Sequence, residues 1–215
     1  MKPALEAVWE TLFRHSLDIL DSVAGNTGGR APVWTVGGGT MLMRRYHHRE
    51  SKDVDIFLDD AQWLGTLTPR LNAVAENKTT EYLEQGGFLK LYFPSGEVDF
   101  IVAGSITDPP FAVETVLGRE VRVETDAEII GKKLKHRAAQ LRARDIFDVA
   151  CVLEKNPSAL DAIGSIVAVA KPVVLARLSD RARELREDFR AIARLDYRPT
   201  YEAAVAVVTE YLRRV

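Results

Sequence analysis

The segment VWTVGGGTMLMRRYHHRESKDVDIFL at 33–58 constrains this chain more than any other stretch. A short apolar run at 33–36 enters three glycines and then Thr40, which reads as a buried strand turning sharply into a helix. Glycine admits the backbone conformations and close approaches that such a corner needs. A helix start also exposes amide N–H groups and the positive end of its dipole, an arrangement suited to phosphate. Thr40 can cap that helix or donate to a phosphate oxygen. The next strand, KDVDIFLD at 52–59, places Asp53 and Asp55 on one face, because strand side chains alternate. Two carboxylates so close repel each other unless a cation or a proton intervenes. Hard oxygen ligands favour magnesium or manganese.

Asp99, within EVDFI on a second apolar strand, supplies a third carboxylate. Three such groups on adjacent strands could grip two divalent ions, activating an attacking oxygen and stabilising an in-line phosphoryl displacement. Arg44, Arg45, His47, His48 and Arg49 lie between the corner and the aspartates, where they would flank a triphosphate. The adjacent histidines suit a polar rim better than a metal site. The glycines form neither a P-loop, since no Gly-Lys-Ser/Thr follows, nor the dinucleotide G-x-G-x-x-G fingerprint.

At 215 residues with 47% hydrophobic and 28% charged content, the chain can build one large domain or two small ones without disulfides. A net charge of −2 excludes a globally basic nucleic-acid binder and leaves room for a local basic surface. Cys151 is the lone cysteine, within an apolar helical pattern, and is expected to be a buried thiol. Acidic and polar residues at helical spacing near the start are unlike a signal peptide, and no apolar run of membrane-spanning length is expected. Those features predict a cytoplasmic location.

Periodicity predicts a helix over 3–23, a turn-rich break at 24–32 and a helix opening at Thr40. A helix is expected over 61–76, with Pro69 as an interruption. Strands are expected at 88–94 and 96–103, joined by a Pro-Ser-Gly turn, and at 118–125. Helical patterns dominate after Asp126, at about 126–154, 158–169, 171–194 and 199–214. The layout is α+β, with an α/β core over 1–125 and a helical domain over 126–215.

GGGTMLMRRYHHRESKDVDIF resembles the first motif of the nucleotidyltransferase superfamily with the DNA polymerase β-type fold. More narrowly, it is similar to the AbiEii/AbiGii toxin family, whose motif runs Gly-Gly-Thr, a helix ending in His-Arg, then Ser-x-Asp-x-Asp. The matching positions are Gly38, Gly39, Thr40, His48, Arg49, Ser51, Asp53 and Asp55, with Asp99 the counterpart of the third acid. KLKHRAAQLRARDIFDVA is similar to the family's lysine-leucine helix and its Arg-Asp-x-x-Asp, matching Lys133, Arg144, Asp145 and Asp148. Gln140 stands where an arginine is often found, with Arg142 nearby. The likeness covers about 33–150.

The resemblance implies a polymerase β-like core and a Mg2+- or Mn2+-dependent transfer of a nucleoside monophosphate from an NTP to an acceptor hydroxyl. It implies that Asp53 and Asp55 bind both metals, while Asp99 ligates the catalytic one and helps deprotonate the acceptor. Gly38, Gly39 and Thr40 would cradle the β- and γ-phosphates, with Ser51 and Arg49 assisting. Lys133 would neutralise the triphosphate, and Asp145 would position that lysine or contact the base or acceptor. It further implies a toxin paired with an antitoxin, and some relatives extend the 3′ end of tRNA. The basic stretch 132–144 suits an RNA acceptor. A protein or small-molecule acceptor, and a non-catalytic binding module, stay open from the sequence.

Overall fold

The computed structural model describes residues 5–215, with side chains from Val8 onward apart from that of Asn26. Residues 3 and 4 of the expected first helix lie outside the described residues. The chain divides into two compact units. The first comprises the chain up to Met41, with Ser51–Gly104 and Phe111–Val123; the second comprises Leu42–Glu50, Ser105–Pro110 and Glu124–Val215.

The first unit is built on a mixed sheet. Its strands are β1 (Trp34–Gly37), β2 (Val54–Leu58), β3 (Tyr82–Gln85), β4 (Phe88–Phe93), β5 (Gly96–Val102), β6 (Phe111–Val116) and β7 (Arg119–Glu124), in the spatial order β3-β4-β5-β2-β1-β7-β6. β2 runs antiparallel to β1 and parallel to β5, and β4 is antiparallel to both β3 and β5. Alternation decides which side is core. Val54, Ile56, Leu58, Leu89, Leu91, Val98 and Phe100 are buried on one face. Helix α1 (Leu5–Asn26) packs on β5 and β2 and buries Leu12, Phe13 and Ile19. The opposite face of β2 and β5 therefore carries Asp55 and Asp99, both half-buried.

Helix α2 (Gly38–Tyr46) follows β1 directly. The helix expected over 61–76 is broken into a 3-10 turn at Ala61–Trp63, α3 (Leu64–Leu67) and α4 (Ala73–Lys78). Thr68 is extended, as a residue before proline prefers, and Asn72 restarts the chain by accepting from the amides of Val74 and Ala75. β3 and β6 lack a sequence expectation. They are the two edge strands, half-exposed, so neither shows a clean apolar alternation.

The second unit is helical: α5 (Asp126–Arg137), α6 (Ala143–Lys155), α7 (Gly164–Asp180), α8 (Ala182–Arg190) and α9 (Tyr201–Arg214), with 3-10 turns at Ala138–Gln140 and Pro157–Ile163. The single helix expected over 126–154 thus breaks at 138–142, and that over 171–194 breaks at Arg181. Pro172 lies inside α7 rather than at a helix start. It and Ala168, whose carbonyl loses a donor, are both exposed, so water can satisfy that carbonyl. One expectation is overturned here: Pro157–Asp180 is long and apolar enough to cross a membrane by length and composition alone. Val167, Ala170, Val174 and Leu178 are buried within the unit, while Val169 is 80% exposed.

Helix α6 is the centre of this unit, packed by α8 and α9, and it buries Cys151 as expected. Phe147 on α6 has its ring 5.4 Å from that of Phe189 and 5.1 Å from that of Tyr197. It is fully buried. Phe147→Ala should therefore cost about 3–5 kcal/mol of stability, and Phe147→Leu markedly less, read by urea unfolding. Equal midpoints for the two variants would contradict a close-packed aromatic centre.

Candidate active site

The parallel register of β2 and β5 sets Asp55 opposite Asp99. Paired strands lie about 4.8 Å apart, so the two carboxylates share one face at a spacing that a single ion can bridge. Asp53 precedes β2, and its Oδ1 accepts from the Glu97 amide at 3.1 Å. Gly96, beside it, leaves room for this contact: a Cβ there would stand 3.1 Å from Asp53 Oδ1. Lys90 on β4 is in register with Asp99, and its Nζ lies 3.0 Å from Asp99 Oδ2 while also bonding Glu97. Asp99 Oδ1 is buried and, among the described residues, has no hydrogen-bond partner. Burial raises the Asp99 pKa, and the Lys90 ammonium offsets this only in part because the charges of Glu97 and Asp53 add to it.

Among the described residues, no three His, Cys, Asp or Glu side chains already converge as a metal cage. The donor set nevertheless fits a magnesium-type ion. Such ions take one or two carboxylates and complete their shell with water and substrate phosphate. Asp55 and Asp99 would supply that pair, and Asp99 Oδ1, unpartnered among the described residues, is an acceptor in need of a positive neighbour.

The glycine corner meets this face. Gly37 pairs with Asp55 across β1 and β2. Gly38 opens α2 with φ +71°, and a Cβ there would stand 1.8 Å from Asp55 Oδ2. Two independent constraints thus demand glycine: the left-handed backbone and the carboxylate lying against it. Thr40 is buried, and its hydroxyl donates to the Asp53 carbonyl and lies 3.0 Å from Ser51 Oγ. It therefore fastens the loop that carries Asp53.

The remaining motif residues meet within the second unit. Fully buried Asp148 takes Arg49 on both oxygens (Nε 2.6 Å, Nη2 2.8 Å), with His48 Nε2 at 2.8 Å and Lys133 Nζ at 3.1 Å. Burial opposes its charge, but Arg49, Lys133 and His48 hold its pKa well below the usual carboxylate value. Asp145 receives Lys133 Nζ at 2.6 Å and the Arg142 amide at 3.1 Å, so it positions the lysine and caps α6 together. Burial opposes its charge too, yet Lys133 brings its pKa below the usual value.

Other charged residues of each unit have weak sequence signals. Lys90 and Glu97 look like ordinary strand residues, and only register shows that they share a face with Asp99. Lys132 turns away from Lys133 to pair with Glu124 and Glu128. Glu128 in turn accepts from the amides of Ile106 and Thr107. Arg45 and Tyr46, at the end of α2, both bond Asp126.

Gly38→Ala should lower the melting temperature and displace Asp55; an unchanged melting curve would mean that the corner is slack. A second expectation concerns pH. Asp145 and Asp148 have depressed pKa values when folded, so the unfolded chain takes up protons first on acidification. Their stabilisation is full well above the ordinary value of about 3.9 and is lost as pH falls through the lower folded values. Asp148→Asn should cost about 3–5 kcal/mol at neutral pH by stranding buried cations, and should flatten the acid limb of the stability curve. Thermal melts from pH 3 to 7 read both effects, and parallel acid limbs in the two proteins would contradict the assignment.

A family model described as "Nucleotidyl transferase AbiEii toxin, Type IV TA system" matches residues 24–210. No curated protein matches the chain. Among solved structures, the nucleotidyltransferase toxin MenT4 from Mycobacterium tuberculosis H37Rv is similar with TM-score 0.50 and 16% identity, over 96% of this chain and 85% of that one. JHP933 from Helicobacter pylori has TM-score 0.49 and 13% identity, over 94% of this chain and 93% of that one. ANT(2″)-Ia in complex with adenylyl-2″-tobramycin has TM-score 0.40 and 16% identity, over 83% of this chain and 98% of that one. At such identities a structural likeness speaks to fold alone; the family match covers most of the sequence. The chain belongs to the AbiEii nucleotidyltransferase toxin family and is a nucleotidyltransferase with the α+β, polymerase β-like fold.

Proposed function

We propose that the protein transfers a nucleoside monophosphate from an NTP to a hydroxyl at the 3′ end of an RNA, with tRNA as the acceptor class. The observation that carries this reading is the alignment of Asp55 with Asp99 beside the Gly38 corner. The acceptor oxygen attacks the α-phosphorus, the bond to the β-phosphate oxygen breaks, and pyrophosphate leaves. Magnesium or manganese, when bound, would supply positive charge for the attacking oxygen and the developing phosphoryl charge.

Asp53, Asp55 and Asp99 are the residues we assign to hold the ions. Asp99 is also assigned to take the acceptor proton, a role that its burial-raised basicity suits. The amides at Gly38 and Gly39 cradle phosphate oxygens at the start of α2, with the Ser51 hydroxyl assisting. Thr40, bonded to the Asp53 carbonyl, serves by holding that loop, and Arg49, bonded to Asp148, serves by ordering the segment before Ser51. Lys133 neutralises triphosphate charge and Asp145 orients it; these two roles rest on the motif match and on the observed Lys133–Asp145 contact.

RNA is favoured over other acceptors by exposed Lys135, His136, Arg137 and Arg142 around the end of α5. The His136 pKa is lowered, by burial first and then by Lys135, Lys132 and Arg137, as expected in a locally positive field. Phosphate backbones bind such surfaces through counterion release. The type IV toxin description supports a cognate antitoxin as partner, and NTP dependence supports action in the cytoplasm.

The test is incubation with each labelled NTP, magnesium, total RNA and cell protein. Label in tRNA supports the reading, whereas label in protein or none at all overturns it. Asp55→Asn should reduce transfer on the order of a hundredfold or more, as removal of a preorganised charge partner does, while leaving the melting temperature equal or higher. A large fall in melting temperature would make Asp55 a structural residue. Lys133→Ala should raise the NTP concentration needed more than it alters metal affinity.

A further inference from the structure

Lys90 sits where a metal-dependent site would be expected to keep only acids. On one face of β4, β5 and β2 stand Lys90, Glu97, Asp99 and Asp55, with Asp53 joined to the same edge through the Glu97 amide. The Lys90 ammonium pairs with two of these four carboxylates. Its Nζ bridges Asp99 Oδ2 at 3.0 Å and Glu97 Oε2, and the side chain is 23% exposed. The other Asp99 oxygen is buried and, among the described residues, unpartnered.

We propose that Lys90 is a positioning residue and resident counter-ion of this face. It fixes Asp99 with Oδ1 turned into the site, and it competes with the divalent ion so that tight ion binding requires the triphosphate. The inference rests on the reading that Asp55 and Asp99 hold a divalent ion. Three features support it. Lys90 is in register with Asp99, so the contact is dictated by strand pairing and not by a wandering surface side chain. A lysine is a compact point charge on a flexible stem, able to move between two acceptors without the fixed fork of an arginine. Glu97 is the second acceptor, so Lys90 can release Asp99 and keep an ion pair. A monocation already on Asp99 lowers the attraction of that face for a free dication. The charges of a triphosphate restore it.

Opposite signs at two neighbouring positions provide the test. Mn2+ binding is followed by electron paramagnetic resonance, with and without a non-hydrolysable NTP analogue, alongside thermal melts. Lys90→Gln should bind Mn2+ roughly tenfold or more tightly without nucleotide, the size expected for removing a unit charge a few ångströms away. Glu97→Gln should weaken nucleotide-free binding, because Lys90 then rests on Asp99 alone. Nucleotide should enhance Mn2+ binding less in Lys90→Gln than in the unsubstituted protein. Asp55→Asn controls for the site itself: Mn2+ binding that it leaves untouched would overturn the metal reading. Loss in Asp55→Asn together with unchanged or weaker binding in a folded Lys90→Gln would overturn the role of Lys90 alone. Should Lys90→Gln melt early, Glu97→Gln decides, and binding equal to or tighter than that of the unsubstituted protein would overturn the proposal.

Discussion

Asp55 and Asp99 face each other across neighbouring strands, and this enforced alignment of two acids is the constraint on which the first unit's charged face depends. Parallel pairing of β2 with β5 forces the alignment, because every residue of β2 has its partner at the same height on β5. The apolar alternation that buries Val54, Ile56, Val98 and Phe100 leaves the two acids no other face to occupy. Neighbouring residues then adapt to the charge. Lys90 supplies one positive partner, Gly38 leaves space for the Asp55 carboxylate, and Thr40 and the Glu97 amide hold Asp53 by its carbonyl and its side chain. A sheet that kept the apolar pattern alone would have no reason for lysine at 90.

The second unit solves a different electrostatic problem. Asp148 is buried completely, and a lone carboxylate there would be strongly disfavoured. Arg49 grips it in the two-pronged geometry that a guanidinium favours, and His48 and Lys133 fill its remaining acceptor directions. The backbone carrying His48 and Arg49 is itself paired: Glu50 donates to the Ala193 carbonyl, and Leu195 and Asp196 donate to the carbonyls of His48 and His47. Residues 193–196 therefore belong to the framework that holds the His-Arg motif. That gives the far C-terminal region, which the family model spans to residue 210, a definite task.

How much of this was legible in the sequence depended on the range of the physics involved. The D-x-D pair, Asp99 and the glycine corner were readable because period-two alternation and glycine's backbone freedom are local. The contact between Lys133 and Asp145 was foreshadowed by the motif match. Thr40 and Arg49 were readable as site residues, but their partners were not: the Thr40 hydroxyl bonds a carbonyl on the following loop, and Arg49 bonds an acid 99 positions away. Lys90 was invisible for the same reason, since a lysine in FLKLYF is an ordinary strand residue until register places it beside Asp99. The long helices failed at their breaks. The strong helical pattern continues through 138–142 and 181; at the first break the chain forms a 3-10 turn and restarts on the Asp145 cap of the Arg142 amide.

Adjacent lysines on α5 show what the charge network permits. Lys132 and Lys133 lie about 100° apart around the helix, and each meets its own pair of acids, Glu124 with Glu128 and Asp145 with Asp148. Within the Asp148 cluster, Lys133 and Arg49 balance Asp145 and Asp148, so the formal charge is two positive against two negative. A lysine balanced in this way cannot act as a bare positive charge. In the role proposed for it, its value would lie in direction: Asp145 and Asp148 fix the ammonium's position, and burial keeps water from blurring its field. A preorganised donor is worth more in such surroundings than a mobile lysine on the surface, because no reorganisation remains to be done when charge develops. The buried acids beside Lys133 thus constrain it as much as they neutralise it. Removing Asp145 would leave the lysine more positive and less well aimed.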